Sequence, residues 1–133
     1  MLSLDKVFNA QTVLKNIIRE TDLVRAYGIA PDCELFLKPE NLQITGSFKV
    51  RGSAYKIAML SDEEKQKGVI ACSAGNHAQG VALAATKNGI KSLICLPDTA
   101  PISRKNRFLT DWFLPFSEPH TYFAVLRSFF EKV

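Results

Sequence analysis

Histidine and cysteine are scarce in this chain. Its 133 residues hold two histidines, His77 and His120, and three cysteines, Cys33, Cys72 and Cys95. Two distant histidines and the absence of any Cys-x-x-Cys pair leave no metal-ligand spacing, so no metal centre is expected. Cys72 and Cys95 lie inside apolar runs, where a cysteine ordinarily serves as a small buried hydrophobe. No apolar stretch approaches the ~18 residues of a membrane-spanning helix. The opening MLSLDKVFNAQ carries an early acid and no long apolar run, so it is not expected to be a signal peptide. GxxxxGK[ST] is missing, which excludes a nucleotide P-loop. A reducing cytoplasm and no membrane partner fit all of these absences.

Charge of one sign is also in short supply. The net charge is +4, from 17 basic and 13 acidic residues, and 47% of the chain is apolar, too much for a disordered polymer. The excess is spread out. Residues 104–133 hold five basic and three acidic residues, and residues 1–103 carry the other half of the surplus. The only local basic cluster is Arg104, Lys105 and Arg107, without a groove-reading motif, so no nucleic-acid partner is expected. The length suits one domain with a modest core.

What is present is an alternation of periods. Ser3 can cap a helix in which Leu4, Val7, Phe8, Leu14, Ile17 and Ile18 recur at helical spacing. ELFLK (34–38) alternates as a short strand and stops at Pro39, and ENLQITGS is a polar loop. A helix is predicted from about Phe48 to Leu60. Ser61 with Glu64 forms a capping box that opens another helix, which Gly68 ends. VIACS (69–73) has the length and continuous apolarity of a buried strand. AGN turns the chain, HAQGVALAATKN (77–88) is a strong helix closed by Gly89, and KSLICLP (91–97) is the next strand. This order predicts an α/β fold with a parallel sheet, whose ligands gather at the C-terminal strand ends, here at loop 73–76.

Two stretches suggest chemistry. In CSAGNHAQG (72–80) a strand ends, Gly75 permits a tight turn and Asn76 stands at the expected helix N-cap. Free backbone N–H groups there make an anion site, to which Ser73, Asn76 and His77 add side-chain donors. In GSFKVRG (46–52) Lys49 follows Phe48 and is flanked by glycines. That pattern suits a lysine held in a cleft against an aromatic ring, desolvated, as a Schiff-base nucleophile. Each stretch alone also admits an ordinary explanation, a capped strand-to-helix turn and a solvated surface lysine.

Taken together, in this order, they resemble the pyridoxal-phosphate-dependent threonine/serine dehydratases, catabolic type, of the tryptophan-synthase-β fold family. The resemblance covers residues 1–103 and rests on ETDLV, LKPENLQITGSFKVRGS, SAGNHAQGVA and LPDTAPISR. One departure is Asp22, where the family often has proline. The resemblance implies fold type II, with a three-layer αβα small domain. It implies pyridoxal 5'-phosphate bound through Lys49, whose amine would then remove the substrate Cα proton. It places Phe48 beside the cofactor ring and Asn76 on the cofactor 3'-oxygen. Ser73, Ala74, Gly75, Asn76 and His77 match the loop that grips the substrate carboxylate. The implied substrates are threonine and serine, lost by β-elimination to a 2-oxo acid and ammonia, and the family is homo-oligomeric. Related serine racemases resemble this chain but have a second serine at the Ala74 position, on the opposite face of the substrate. Alanine cannot exchange a proton, which favours dehydratase over racemase.

The last thirty residues differ in kind. Residues 104–133 hold eight of the thirteen aromatics, two prolines and no glycine. They do not resemble the family, which continues after APISR with a helix and a YGAEV-like strand, and later with a glycine-rich loop for the cofactor phosphate. AVLRSFF (124–130) could form a helix. The segment looks like translation in a shifted reading frame, which makes a non-catalytic fragment the alternative to an active enzyme. A domain divided in this way is expected to keep a compact unit around residues 50–100 and to expose apolar faces elsewhere.

Overall fold

A computed structural model describes residues 2–30, 32–97 and 121–126. Helix α1 spans Leu4–Leu14, and strands β1 (Val24–Arg25) and β2 (Phe36–Leu37) form an antiparallel pair. A single 3-10 turn covers Glu40–Leu42, followed by α2 (Lys49–Ala58) and α3 (Asp62–Lys67). Then come β3 (Val69–Cys72), α4 (Asn76–Lys87), β4 (Ser92–Pro97) and β5 (Thr121–Leu126).

Strands β3, β4 and β5 form a parallel sheet in that order. The alternation of strand and helix predicted this layer for β3 and β4. The strand β5 corrects the expectation of a helix at 124–130, because Ala124–Leu126 extend along β4 with Ala124 opposite Cys95. The run TYFAVL is rich in aromatic and β-branched residues, which favour a pleated strand. Residues 127–130, and the basic cluster Arg104, Lys105 and Arg107, lie outside the described residues.

The core gathers around α4. Its alanines 78, 82, 84 and 85 are at most 2% exposed, between α2 on one side and the sheet on the other. Small side chains let both neighbours close in, and Ile57, Ile90, Ile94 and Leu96 fill the space around them. Burying each of these larger residues contributes about 1.5–3 kcal/mol. As far as Leu96, this is the compact unit expected around residues 50–100. The face of β3 turned away from this core is open: Ile70 is 71% exposed, whereas Ala71 next to it is buried. Among the described residues the helical layer stands on one sheet face, and the third layer of an αβα sandwich is not among them.

The N-terminal segment is less well covered. Helix α1 stops at Leu14 and does not continue through Ile17 and Ile18, because Lys15 leaves the helical conformation, ψ 129°, and Asn16 after it is left-handed, φ 68°. Ile17 and Ile18 follow that turn and pack, half-buried, on the core. Ser3 occupies the N-cap position without a side-chain capping bond. Leu4 and Phe8 are 66% and 55% exposed, and Phe36 and Leu37 of β2 are open as well. Helix α3 begins as the sequence requires: Ser61 Oγ accepts from Glu64 N at 3.2 Å, and Glu64 Oε2 accepts from Ser61 N at 2.8 Å. No helix among the described residues is long and apolar enough to cross a membrane.

Candidate active site

Lys49 is the first residue of α2, and the chain before it is fixed locally. Ser47 Oγ accepts from Lys49 N at 3.2 Å, and Thr45 Oγ1 donates to Ser47 O at 3.2 Å. Both hydroxyl residues are buried. The hydroxyl of Ser47 thus satisfies one of the free N–H groups that every helix start leaves. One turn on, Ser53 Oγ donates to Lys49 O at 3.1 Å. Helix α4 crosses at the same point. A Cβ placed on Gly80 would lie 2.8 Å from Ser53 Oγ and 3.2 Å from the Lys49 carbonyl. Only a residue without a side chain lets α4 pass that close. The lysine backbone is therefore set by contact with a second helix.

The side chain of Lys49 is exposed, and its Nζ lies 4.8 Å from the centroid of the Phe48 ring, a cation–π contact. This corrects the expectation of a desolvated lysine. The aromatic neighbour is there, but Phe48 is itself 57% exposed, so the pair faces solvent. The two residues open onto a cleft of about 580 Å³ bounded by α2, β3 and the start of α4. Lys56, Ile70 and His77 also line it.

The second predicted stretch meets this cleft through His77 alone. Ser73, Ala74, Gly75 and Asn76 form the turn just before it and do not line the cleft. Gly75, not Asn76, is the N-cap of α4, and Asn76 is the first helical residue. No side chain caps α4; Ser73 Oγ accepts from Gly75 N at 3.2 Å and closes the turn ahead of the helix. This leaves the Asn76 side chain, like that of His77, exposed. Intrahelical bonding begins with Gln79 N to Gly75 O, at 3.4 Å, so the N–H groups of Asn76, His77 and Ala78 point out of the helix start. No acidic side chain occupies that first turn. The arrangement favours an anion.

A network missed by sequence reasoning holds the lysine helix to the rest of the chain. Arg51 Nε and Nη2 donate to the two carboxylate oxygens of Glu40, at 2.8 and 2.7 Å. Thr21 Oγ1 donates to Glu40 Oε1 at 2.7 Å, and Lys38 Nζ donates to the Thr21 carbonyl. The Arg51 hydrogen bonds, with help from Thr21, hold the Glu40 carboxyl down to about 2. Gln43 adds a reciprocal pair with Arg19, accepting from its N at 2.8 Å and donating to its O at 2.7 Å. The signal was present in the sequence, since Glu40, Gln43 and Arg51 all fall within the LKPENLQITGSFKVRGS stretch. Nothing local marks them as partners. Among the described residues no group of three or more His, Cys, Asp or Glu could hold a metal.

Comparison with known proteins bears on this arrangement directly. The family model described as pyridoxal-phosphate dependent enzyme matches residues 14–110. An L-threonine ammonia-lyase of Thermotoga maritima is 50% identical over 106 residues, 78% of this chain and 26% of the relative. The catabolic L-threonine dehydratase TdcB of Staphylococcus aureus is 47% identical over 109 residues, 80% of this chain and 32% of the relative. A serine racemase crystal structure from Dictyostelium discoideum superposes with a TM-score of 0.83 at 29% identity, over 96% of this chain and 39% of that one. The chain thus spans between a quarter and a third of the length of these curated relatives. The matched region takes in the lysine helix, the Ser73–His77 turn and strands β3 and β4, and on that ground the chain belongs to the family of pyridoxal-phosphate-dependent enzymes.

Proposed function

We propose that this chain carries the lysine and carboxylate half of an ammonia-lyase site acting on L-threonine, and on L-serine. The observation that supports it most is that Lys49 and His77, from two separate motifs, line one cleft. The residues fit the aldehyde end of pyridoxal phosphate. A primary amine stands exposed beside an aromatic ring, and a helix start rich in N–H donors opens nearby. Lys49 would hold the cofactor, with Phe48 against its ring and Asn76 on its 3'-oxygen. When bound, the cofactor supplies the electron sink for carbanion chemistry.

The chain's own residues then have distinct tasks. The N–H groups of Asn76 and His77, with the Ser73 and Asn76 side chains, bind the substrate carboxylate. That fixes the amino acid so that its Cα–H bond faces the amine of Lys49. The amine of Lys49, released when the substrate's own amino group takes its place, would take up the Cα proton. Loss of the β-hydroxyl and hydrolysis give 2-oxobutanoate and ammonia from threonine. The Arg51–Glu40 pair keeps the start of α2, and so the amine, in place.

Serine racemisation is the second reading, since a serine racemase shares the fold. Ala74 argues against it, because its methyl group cannot return a proton to the opposite face. Ala74→Ser in a family-length enzyme bearing this segment is expected to raise formation of the D-amino acid, and no gain would count against that argument. A non-catalytic role for the 133-residue chain is the remaining alternative. The test is to mix the purified chain with pyridoxal phosphate, reduce with borohydride and map the modified lysine. Selective labelling of Lys49 supports a retained site, and even labelling of all lysines removes it. Threonine is then supplied and 2-oxobutanoate measured against free cofactor. Labelling without turnover would identify a binding segment that needs the rest of a family-length chain to act.

A further inference from the structure

Cys72 and Cys95 face each other across the sheet. They are register partners on the parallel strands β3 and β4, and Ser73 N donates to Cys95 O at 3.1 Å beside them. Directly opposed residues on neighbouring strands carry their side chains on the same face, with the strands about 4.8 Å apart. That lies inside the Cα separation of about 4.4–6.8 Å that a disulfide spans. Burial, and after it the neighbouring Cys72 thiol, push the Cys95 thiol up. Their access to solvent differs. Cys95 is 8% exposed, whereas Cys72 is open, which corrects the expectation that both are buried hydrophobes. The difference follows from the open face of β3, which leaves Ile70 and Cys72 uncovered.

We propose that Cys72 and Cys95 are a dithiol modification site, oxidised by a small disulfide of the glutathione type to an intramolecular disulfide. Cys72, the accessible thiol, attacks one sulfur of the small disulfide. The S–S bond breaks, one small thiol leaves with the proton lost by Cys72, and a mixed disulfide remains. Cys95 then attacks the Cys72 sulfur, a second small thiol leaves with the Cys95 proton, and the Cys72–Cys95 bond forms. Two protein thiols lose two electrons and the small disulfide gains them. In a reducing compartment such a bond is transient. Its position gives it consequence. Cys72 is the last residue of β3, immediately before the Ser73–His77 turn, so the bond would tie the entrance of that turn to β4. This holds whether or not the turn binds a substrate carboxylate.

The test uses the reduced chain, exposed to graded ratios of oxidised to reduced glutathione, alkylated and digested with trypsin. Cys72 and Cys95 fall in separate peptides, 68–87 and 92–104, and Cys33 is an internal control. The expected product joins those two peptides and leaves Cys33 alkylated. The pair should oxidise at a ratio about tenfold or more lower in the folded chain than in urea, because folding raises the effective concentration of one thiol at the other. Cys72→Ser, an exposed substitution, should leave Cys95 reduced at the same ratios. A stable glutathione adduct on Cys72 with Cys95 still alkylatable would overturn the proposal. So would Cys33 entering disulfides as readily as the pair, or an unchanged midpoint in urea.

Discussion

Arg51 and Glu40 meet through two parallel N–H···O bonds, 2.8 and 2.7 Å long, that tie the lysine-bearing helix to the 3-10 turn before it. The geometry is the planar fork for which guanidinium is suited and ammonium is not. Both side chains are largely covered, at 33% and 16% exposure, so solvent screens the pair less than a surface bridge. The folded carboxyl sits near 2, below its unfolded value. The pair therefore contributes stability that is fully present above the ordinary carboxylate range, about 4.5, and is lost as pH falls through about 2. Urea unfolding followed from neutral pH downward should show this loss, and Glu40→Gln should flatten it. At neutral pH the same variant should cost about 1.5–3 kcal/mol, the worth of hydrogen bonds to a charged group. A pH profile identical to the parent would assign the acid sensitivity to other carboxylates.

Gly80 sets a conflict between propensity and packing. In an isolated helix, replacing glycine by alanine stabilises by about 1 kcal/mol. Here the new methyl would sit 2.8 Å from Ser53 Oγ and 3.2 Å from the Lys49 backbone. The hydroxyl can rotate away, but the backbone cannot. Packing wins, and Gly80→Ala is expected to destabilise by about 1–3 kcal/mol. Because the pressure falls on Lys49, borohydride labelling at that residue should drop as well. Adding Ser53→Ala should recover part of the stability and not all of it. Full recovery would place the whole clash on the hydroxyl.

The capping box of α3 makes a smaller and more local prediction. Ser61 and Glu64 exchange two bonds, yet no residue of α3 is buried. Its stability is therefore local, and Ser61→Ala should cost the helix about 1 kcal/mol. The measurement is hydrogen exchange at the amides of Glu64 and Lys65, which should quicken while amides of α4 stay protected. Equal acceleration in α4 would mean that α3 unfolds together with the core.

What the sequence disclosed was local in character. Ser61 and Glu64 are three positions apart and signal their own box. The strand–turn–helix at 69–87 is legible because an apolar run, a glycine and a helical period follow one another without interruption. The exceptions depend on distance. Arg51 finds Thr21 and Glu40 only after the chain has folded back, and Gly80 acquires its meaning from Lys49, thirty-one positions away. The exposure of Cys72 depends on what covers the far face of β3, which its apolar neighbours do not reveal. Asn76 lost the capping position to Gly75 by a single residue, within the usual uncertainty of a helix boundary. The segment TYFAVL has no clean period, so its pairing with β4 is decided by a partner more than twenty positions earlier.

With β5 in the sheet, β4 is a central strand, paired on both edges. Removing β5 exposes one edge of β4 along the register Ser92–Pro97. Each lost backbone hydrogen bond costs about 0.5–1.5 kcal/mol net, so losing the bonds of this six-pair register should cost the sheet several kcal/mol. Replacing residues 121–126 with a glycine-serine run of equal length removes the strand and keeps the chain length. The variant is expected to unfold at lower urea, and to expose β4 amides to exchange before those of α2. Truncation after Ser103 should give the same shift, since both changes delete the same partner of β4. Unchanged unfolding in both variants would mean that the aromatic tail adds nothing to the fold, and that β3, β4 and the two helices are stable by themselves.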